Sequence, residues 1–302
     1  MAEAVATTLR RAVEHALRDG SGRTLSDSLY TDWYARWNPS AQPATAAAVL
    51  TVEALRAAHA DSARFDDAWT ATRVWPTGRV VAVRDGVERV LDPIDYVATD
   101  RRGLPPRAGG ALRVTRRRDS VASQAGYWVA WGGAWGRPLE PANIVRLYWN
   151  VDAAGAPALV GALTGRLAER SLAYALKVPD QDAGFNRCDA AVLYLDRDDL
   201  RAAAPALRAA HAAVAGLLEA PTPALTRALA PGLGLAEEPP GPESFGGHRC
   251  RLIAEALAPA LTAGEHDAEA LLRAIAERLA AEGIALERPH LNPPGDHDLG
   301  GW

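Results

Sequence analysis

Lysine is almost absent from this 302-residue chain: of its 33 basic residues one, Lys177, is a lysine and the other 32 are arginines. An arginine keeps its proton above about pH 12, whereas a desolvated lysine crowded by cations can lose its own near neutrality. The alanine-, arginine- and proline-rich composition is that of a GC-rich coding sequence, in which replaceable lysines drift to arginine. The lysine that stays is therefore the first candidate for proton chemistry; the competing reading is a solvated amine at a strand end. Cysteine is scarce too. Two thiols, Cys188 and Cys250, give no disulfide framework and point to a reduced, cytoplasmic protein. Both adjoin arginines and are expected to pack as small buried groups behind a site rather than to act as nucleophiles. There is no basic excess: a formal charge of −4 excludes a general nucleic-acid binder. No run approaches the roughly eighteen apolar residues of a membrane span. The first twenty residues read as an amphipathic helix with interspersed charges and not as an export signal.

Familiar cofactor motifs are missing as well. GLGLAEE, beginning at Gly232, lacks the third glycine and the preceding strand of a dinucleotide site, and nothing matches a phosphate-binding Walker loop or a helical His-Glu-x-x-His metal site. The sequence specifies no cofactor. Glu265-His266-Asp267 and Asp296-His297-Asp298 lack convergent partners, so no metal is expected. Arg113, Arg116, Arg117 and Arg118 form a basic edge, read as a solvated strand end.

What is present organises as an α+β protein. Helical segments at about 3–19 and 44–60 flank an aromatic loop with Tyr30, Trp33, Tyr34 and Trp37, and predict an N-terminal helical cap over residues 1–65. From 66 to 288 a main domain begins with short alternating runs: TATRVWP, GRVVAVRDG, VERVLD, LRVTRRR, GYWVAWG and NIVRLYWNV. These predict a mostly antiparallel twisted sheet flanked by helices. PALVGALTGRLAERSLAYAL has helical spacing that KVPD ends; CDAAVLYLD reads as a buried strand and DLRAAAPALRAAHAAVAGLLEA as a long helix. Helices near 247–262 and 267–282 follow, then a flexible tail at 289–302.

The informative cluster begins at NIVRLYWN. On a strand, Arg146, Tyr148 and Asn150 share one face while Leu147, Trp149 and Val151 take the other. Lys177 follows close by, and Arg187 precedes the strand CDAAVLYL. Ser244-Phe245-Gly246-Gly247-His248-Arg249 puts glycines and basic groups where a helix begins, a geometry that suits a phosphate. Arg146, Arg187 and Arg249 are thus expected around one dianion, with Ser244, Asn150 and Arg251 against the substrate. The bland alternative for each arginine is an ion pair, and Arg251 with Glu255 at i, i+4 is its clearest case.

At these residues the sequence resembles a known family. LAPGLGLAEEP, then ESFGGHRCRLIAEAL, with VRLYWN, ALKV and RCDAAVLYL, is similar to the HopA-type effector family over roughly residues 66–285. The resemblance implies a lyase domain of the stand-alone kind found in class V lanthipeptide and thioamitide biosynthesis. Such a lyase acts on a precursor peptide whose Ser or Thr a separate kinase-like protein has phosphorylated. More distantly, the element order is similar to bacterial phosphothreonine lyases. That likeness sets Arg146 at a phosphate-binding lysine, Tyr148 at a histidine acid, Lys177 at the base, and Arg187 and Arg249 at phosphate arginines. Tyrosine in place of histidine leaves two acids open, Tyr148 and His248. The expected activity is β-elimination of phosphate from phosphoserine or phosphothreonine, giving dehydroalanine or dehydrobutyrine. The alternatives are a non-catalytic phosphopeptide-binding or scaffolding subunit, which would accept arginine at 177, and a secreted effector acting on host proteins, which the missing export segment disfavours.

Overall fold

The computed structural model describes residues 2–35, 50–60, 63–101, 104–133, 139 and 143–294. Trp37, residues 44–49 of the expected helix at 44–60, and Asp296-His297-Asp298 lie outside them. The chain forms two compact units, Met1–His59 with Ser120–Trp302, and Ala60–Asp119. The N-terminal helices therefore belong to the same unit as Ser120–Trp302.

The first unit opens with α1 (Ala2–Arg18), α2 (Leu25–Ser28), a π-helical turn over Leu29–Tyr34, and α3 (Val52–Ala58). The second unit is one antiparallel sheet of β1 (Ala63–Val74), β2 (Val80–Arg84), β3 (Val87–Leu91), β4 (Tyr96–Ala98) and β5 (Ala111–Arg117), in the order β3-β2-β1-β5-β4. Alternation drives it: Trp69, Ala71, Ala82 and Leu112 are buried while Val90 and Val97 face outward. At the basic edge Arg113 is exposed, as expected of a solvated strand end, whereas Arg118 departs from that reading. Arg113 donates to Asp67 at 2.7 Å, and Arg118 is buried.

The first unit resumes at Ser120, within β6 (Asp119–Ser120), and continues with β7 (Tyr127–Gly132), β8 (Ile144–Trp149), α4 (Ala156–Ala168), β9 (Tyr174–Pro179), β10 (Ala191–Asp196), α5 (Leu200–Val214), β11 (Arg227–Ala230), β12 (Leu233–Glu237), α6 (Phe245–Thr262) and α7 (Ala268–Ala281). Its sheet runs β11-β12-β8-β10-β9-β7-β6, and the pairings among β7 to β12 are antiparallel. The α+β expectation with antiparallel sheet and flanking helices holds. One sheet face carries Val145, Leu147, Trp149, Leu176, Leu193 and Leu235 and packs with Leu55 of α3, Leu159 and Leu163 of α4, and Leu207 of α5. The other contributes Tyr148, Val192 and Ala236 to a second core with Leu9 and Val13 of α1, Trp33 and Tyr34 of the π-turn, Leu252 of α6 and Ile275 of α7.

Three expectations are corrected here. The two N-terminal helices do not pack as one cap, because α1 joins the second core whereas α3 joins the first. The helix expected to run up to Lys177 ends at Ala168, and TyrAlaLeuLysValPro is strand β9, paired on both sides by β10 and β7. Its Leu-Ala composition fits a helix, but two ladders of backbone hydrogen bonds override that weak propensity. The tail is not loose from its start. Pro289, His290 and Leu291 are buried, and Arg249 of α6 donates to Pro289 O at 3.0 Å and to Leu291 O at 2.8 Å.

Candidate functional site

The cleft lies on the polar face of the sheet, and β-sheet register places its floor. Val192 on β10 stands between Tyr148 on β8 and Lys177 on β9, and in the next row Tyr194 stands beside Arg146. Residues two strands apart are about 10 Å from one another at the backbone, so long side chains from β8 and β9 converge above Val192. The π-turn supplies Tyr30 and Tyr34, the loop before β10 supplies Arg187 and Asp189, and the start of α6 supplies Ser244 and Gly246. Together with Tyr127 of β7 these residues line a cleft open to solvent, with about 340 Å³ of empty space when its mouth is included. Ser244 caps α6, its Oγ accepting from Gly247 N at 3.1 Å. Glycine is required at 246: a Cβ there would stand 2.3 Å from the Tyr34 ring.

Five of the chain's seven tyrosines line this cleft, and each of its three cations rests on one of them. Lys177 Nζ lies 3.7 Å from the centre of the Tyr127 ring; the guanidinium of Arg146 lies 5.2 Å from that of Tyr194, and Arg187 5.6 Å from that of Tyr30. The arginines are also held by carboxylates. Arg146 makes a two-pronged pair with Glu238, and Arg187 one with Asp189, while Arg187 Nη2 donates to Tyr30 OH at 2.9 Å. In both forks Nε and Nη2 are engaged, and among the described residues Nη1 has no partner, which leaves it for a ligand. Burial works against the charge on Arg187, but Asp189 outweighs it and the guanidinium stays protonated.

Lys177 is different. It is half-buried and makes no hydrogen bond or ion pair among the described residues. Burial first, then Arg187 and Arg146, push its pKa down to about 8, against the pull of Asp189. The sign for stability follows. The folded pKa lies below the ordinary 10.5, so the protonated amine opposes folding below about pH 8, and the penalty fades as pH rises from about 8 to the unfolded value. The full difference corresponds to about 3 kcal/mol, which solvent screening reduces to about 1–2 kcal/mol. Lys177→Met is therefore expected to raise the melting temperature at pH 7, with the gain shrinking by pH 10. A Lys177→Met protein no more stable than the parent at pH 7 would show an amine that folding does not penalise.

The other expected site residues divide. Tyr148 lines the cleft, fully buried, and burial above all raises its pKa, so it keeps its proton at any working pH. Its hydroxyl and that of Tyr34 act on each other's proton affinity, although neither makes a well-formed hydrogen bond among the described residues. Arg249 is not in the cleft. It is fully buried behind the tyrosines, over the Phe245 ring at 4.9 Å, and its donors go to Pro289, Leu291, Asn292 and His248 Nδ1. Burial pushes its pKa down to about 10, with Tyr34 and Tyr148 opposing. It pins the C-terminal segment. His248 also lies outside the cleft; burial, then Arg249 and Arg251, lower its pKa and keep it neutral. Asn150 donates to Pro221 O at 2.9 Å at the end of β8, away from the lining. Arg251 is an ion-pair residue, to Glu255 at 2.7 Å and Glu243 at 3.0 Å. Neither cysteine is in a disulfide and both are buried, as expected. No metal-holding cluster occurs among the described residues.

Sequence reading missed the two carboxylates and the tyrosine walls. Asp189 follows Arg187 at i+2, a legible signal; Glu238 pairs with Arg146 only because β12 lies beside β8. Tyr30 and Tyr34 stood in the aromatic loop, with nothing in the sequence to show that it closes on β8.

Residues 119–291, more than half of the chain, match the HopA1 effector protein family. Two solved structures are similar in fold, both effector proteins from Pseudomonas syringae. That of pathovar syringae strain 61 is 20% identical, with a TM-score of 0.57 over 97% of this chain and 98% of that one. That of pathovar tomato strain DC3000 is 16% identical, with a TM-score of 0.52 over 96% and 99%. No curated protein matches the chain.

Proposed function

The chain belongs to the HopA1 effector protein family, and from that premise we propose that it is a phosphoserine/phosphothreonine lyase that β-eliminates phosphate from a phosphorylated peptide. The observation that carries this reading is the only lysine of the chain, unpaired in a cleft between two arginines with a pKa near 8. Binding a phosphate needs no such group. Removing a proton from Cα does.

Neutral Lys177 takes the Cα proton, whose bonding electrons become the new Cα=Cβ bond. The Cβ–O bond breaks and its electrons leave with the phosphate. Arg146 and Arg187 turn their free Nη1 edges to the phosphate and offset the charge that builds on it. Tyr148, protonated and on the floor beside Val192, gives its proton to the departing oxygen. No water enters the products, which are a dehydroamino acid and hydrogen phosphate. The substrate is a ribosomal precursor peptide, phosphorylated by a separate kinase-like protein, and the setting is the cytoplasm. Among the described residues no helix is long and apolar enough to cross a membrane.

The pH dependence tests the base. In the free enzyme about one-tenth of Lys177 is neutral at pH 7 for a pKa near 8. Because kcat/KM reports the free enzyme, it should rise about tenfold from pH 7 toward a plateau above pH 8. A bound phosphate dianion favours the ammonium, so the inflection in kcat should lie higher than that in kcat/KM. A kcat/KM profile flat from pH 6 to 9 would remove Lys177 as the base.

A further inference from the structure

Phe245 stands at the centre of a small cluster whose members are otherwise far apart in sequence. Its ring centre lies 6.3 Å from that of Tyr34 and 6.5 Å from that of Tyr148, with Arg249 over its face at 4.9 Å. Tyr34 is fixed from the other side by stacking on Tyr30 at 5.5 Å, and from below by the missing side chain at Gly246. The segment is anchored to the cleft wall as well, since Cys188 N donates to Ala35 O at 2.7 Å. Tyr34 and Tyr148 both line the cleft, and among the described residues their buried hydroxyls have no partner that meets hydrogen-bond geometry. A buried hydroxyl left unsatisfied is destabilising, so two side by side call for a role in the loaded state. The charged and titratable groups facing the pair are Arg146 on β8, Tyr194 on β10, Asp189 in the loop before it, Tyr30 in the π-turn and Arg249 on α6.

We propose that Tyr34 is a positioning residue for Tyr148: its hydroxyl donates to the Tyr148 oxygen while Tyr148 hands its own proton to the departing phosphate, with Arg249 behind the pair favouring the phenolate that results. The inference rests on the elimination reading and deepens it. The protons balance. One leaves Cα for Lys177 Nζ, one leaves Tyr148 for the phosphate oxygen, and the lysine ammonium returns a proton to the phenolate through solvent. Tyr34 moves no proton of its own; it holds the Tyr148 oxygen and stabilises its charge. It lies outside the stretch that matches the family, residues 119–291. The N-terminal segment thus completes the cleft.

The test is a double-mutant cycle of Tyr34→Phe and Tyr148→Phe, read by single-turnover elimination from a phosphothreonine peptide, with melting temperatures of all four proteins. Tyr34→Phe keeps the ring and removes an unpaired hydroxyl, so its melting temperature should equal or exceed the parent's. Its elimination rate should fall by about tenfold in the parent background. In the Tyr148→Phe background the same change should have little effect, because the group it serves is gone. An equal loss in both backgrounds would mark Tyr34 as a packing residue and overturn the proposal, as would an unchanged rate in Tyr34→Phe. A parent protein that binds the phosphopeptide but releases no phosphate would instead sink the elimination reading on which the proposal stands.

Discussion

Lys177→Arg should bind a phosphopeptide within about threefold of the parent and lose elimination by about 10²- to 10⁴-fold. Arginine keeps the charge and most of the reach, and it can rest on Tyr127 as the ammonium does at 3.7 Å. What it cannot do is shed its proton. The lysine can, because burial and the two neighbouring arginines bring its pKa to about 8. Lys177→Ala would lose turnover too, but it also removes a charge beside the phosphate and so mixes two effects. The arginine variant separates them. A scaffolding subunit would tolerate it with near-normal affinity and no further consequence. Titration calorimetry for binding, with mass spectrometry of single-turnover samples for elimination, reads both quantities on the same protein.

The second large effect concerns the anion clamp. Arg146→Ala and Arg187→Ala should each weaken phosphopeptide binding by about ten- to a hundredfold, the equivalent of one charge-assisted hydrogen bond of about 1.5–3 kcal/mol. Each truncation also leaves a carboxylate unpaired, Glu238 in the first case and Asp189 in the second. The proteins should therefore lose stability as well as affinity. Arg146→Lys and Arg187→Lys should rescue only partly, because one ammonium cannot serve a carboxylate fork and a phosphate in fixed directions. Arg249→Lys should behave otherwise, lowering the melting temperature through loss of its bonds to Pro289 and Leu291 with little direct effect on phosphate. Equal affinity losses at all three arginines would put Arg249 in contact with the ligand after all. Competition by inorganic phosphate, measured for each variant beside its melting curve, distinguishes the cases.

The contrast among the arginines shows what the sequence could and could not reveal. Arg146 and Tyr148 were legible as neighbours on one face because strand alternation is a local property, and β8 supplies it. Lys177 stood out by composition alone, although the strand that carries it read as helix. Arg249 was misplaced because a glycine-rich helix start resembles a phosphate site. The deciding fact is the course of Pro289–Asn292, which brings carbonyl groups onto its guanidinium from forty residues away. β12 was missed for a similar reason. LeuGlyLeuAlaGlu has little strand propensity, and its place beside β8 comes from tertiary pairing. The tyrosine walls depend on the closure of the π-turn onto the sheet, which no local pattern encodes.

The most direct measurement is the mass of a phosphoserine or phosphothreonine peptide after incubation with this protein alone, in chelator, beside the Lys177→Arg variant. Loss of the elements of phosphoric acid by the parent and no change with the variant is the expected result, with the product alkene confirmed by thiol addition. Loss of only the elements of metaphosphoric acid would show hydrolysis back to the hydroxyl amino acid. That outcome, an untouched peptide with the parent, or equal elimination by Lys177→Arg would contradict a lyase that works through its single lysine.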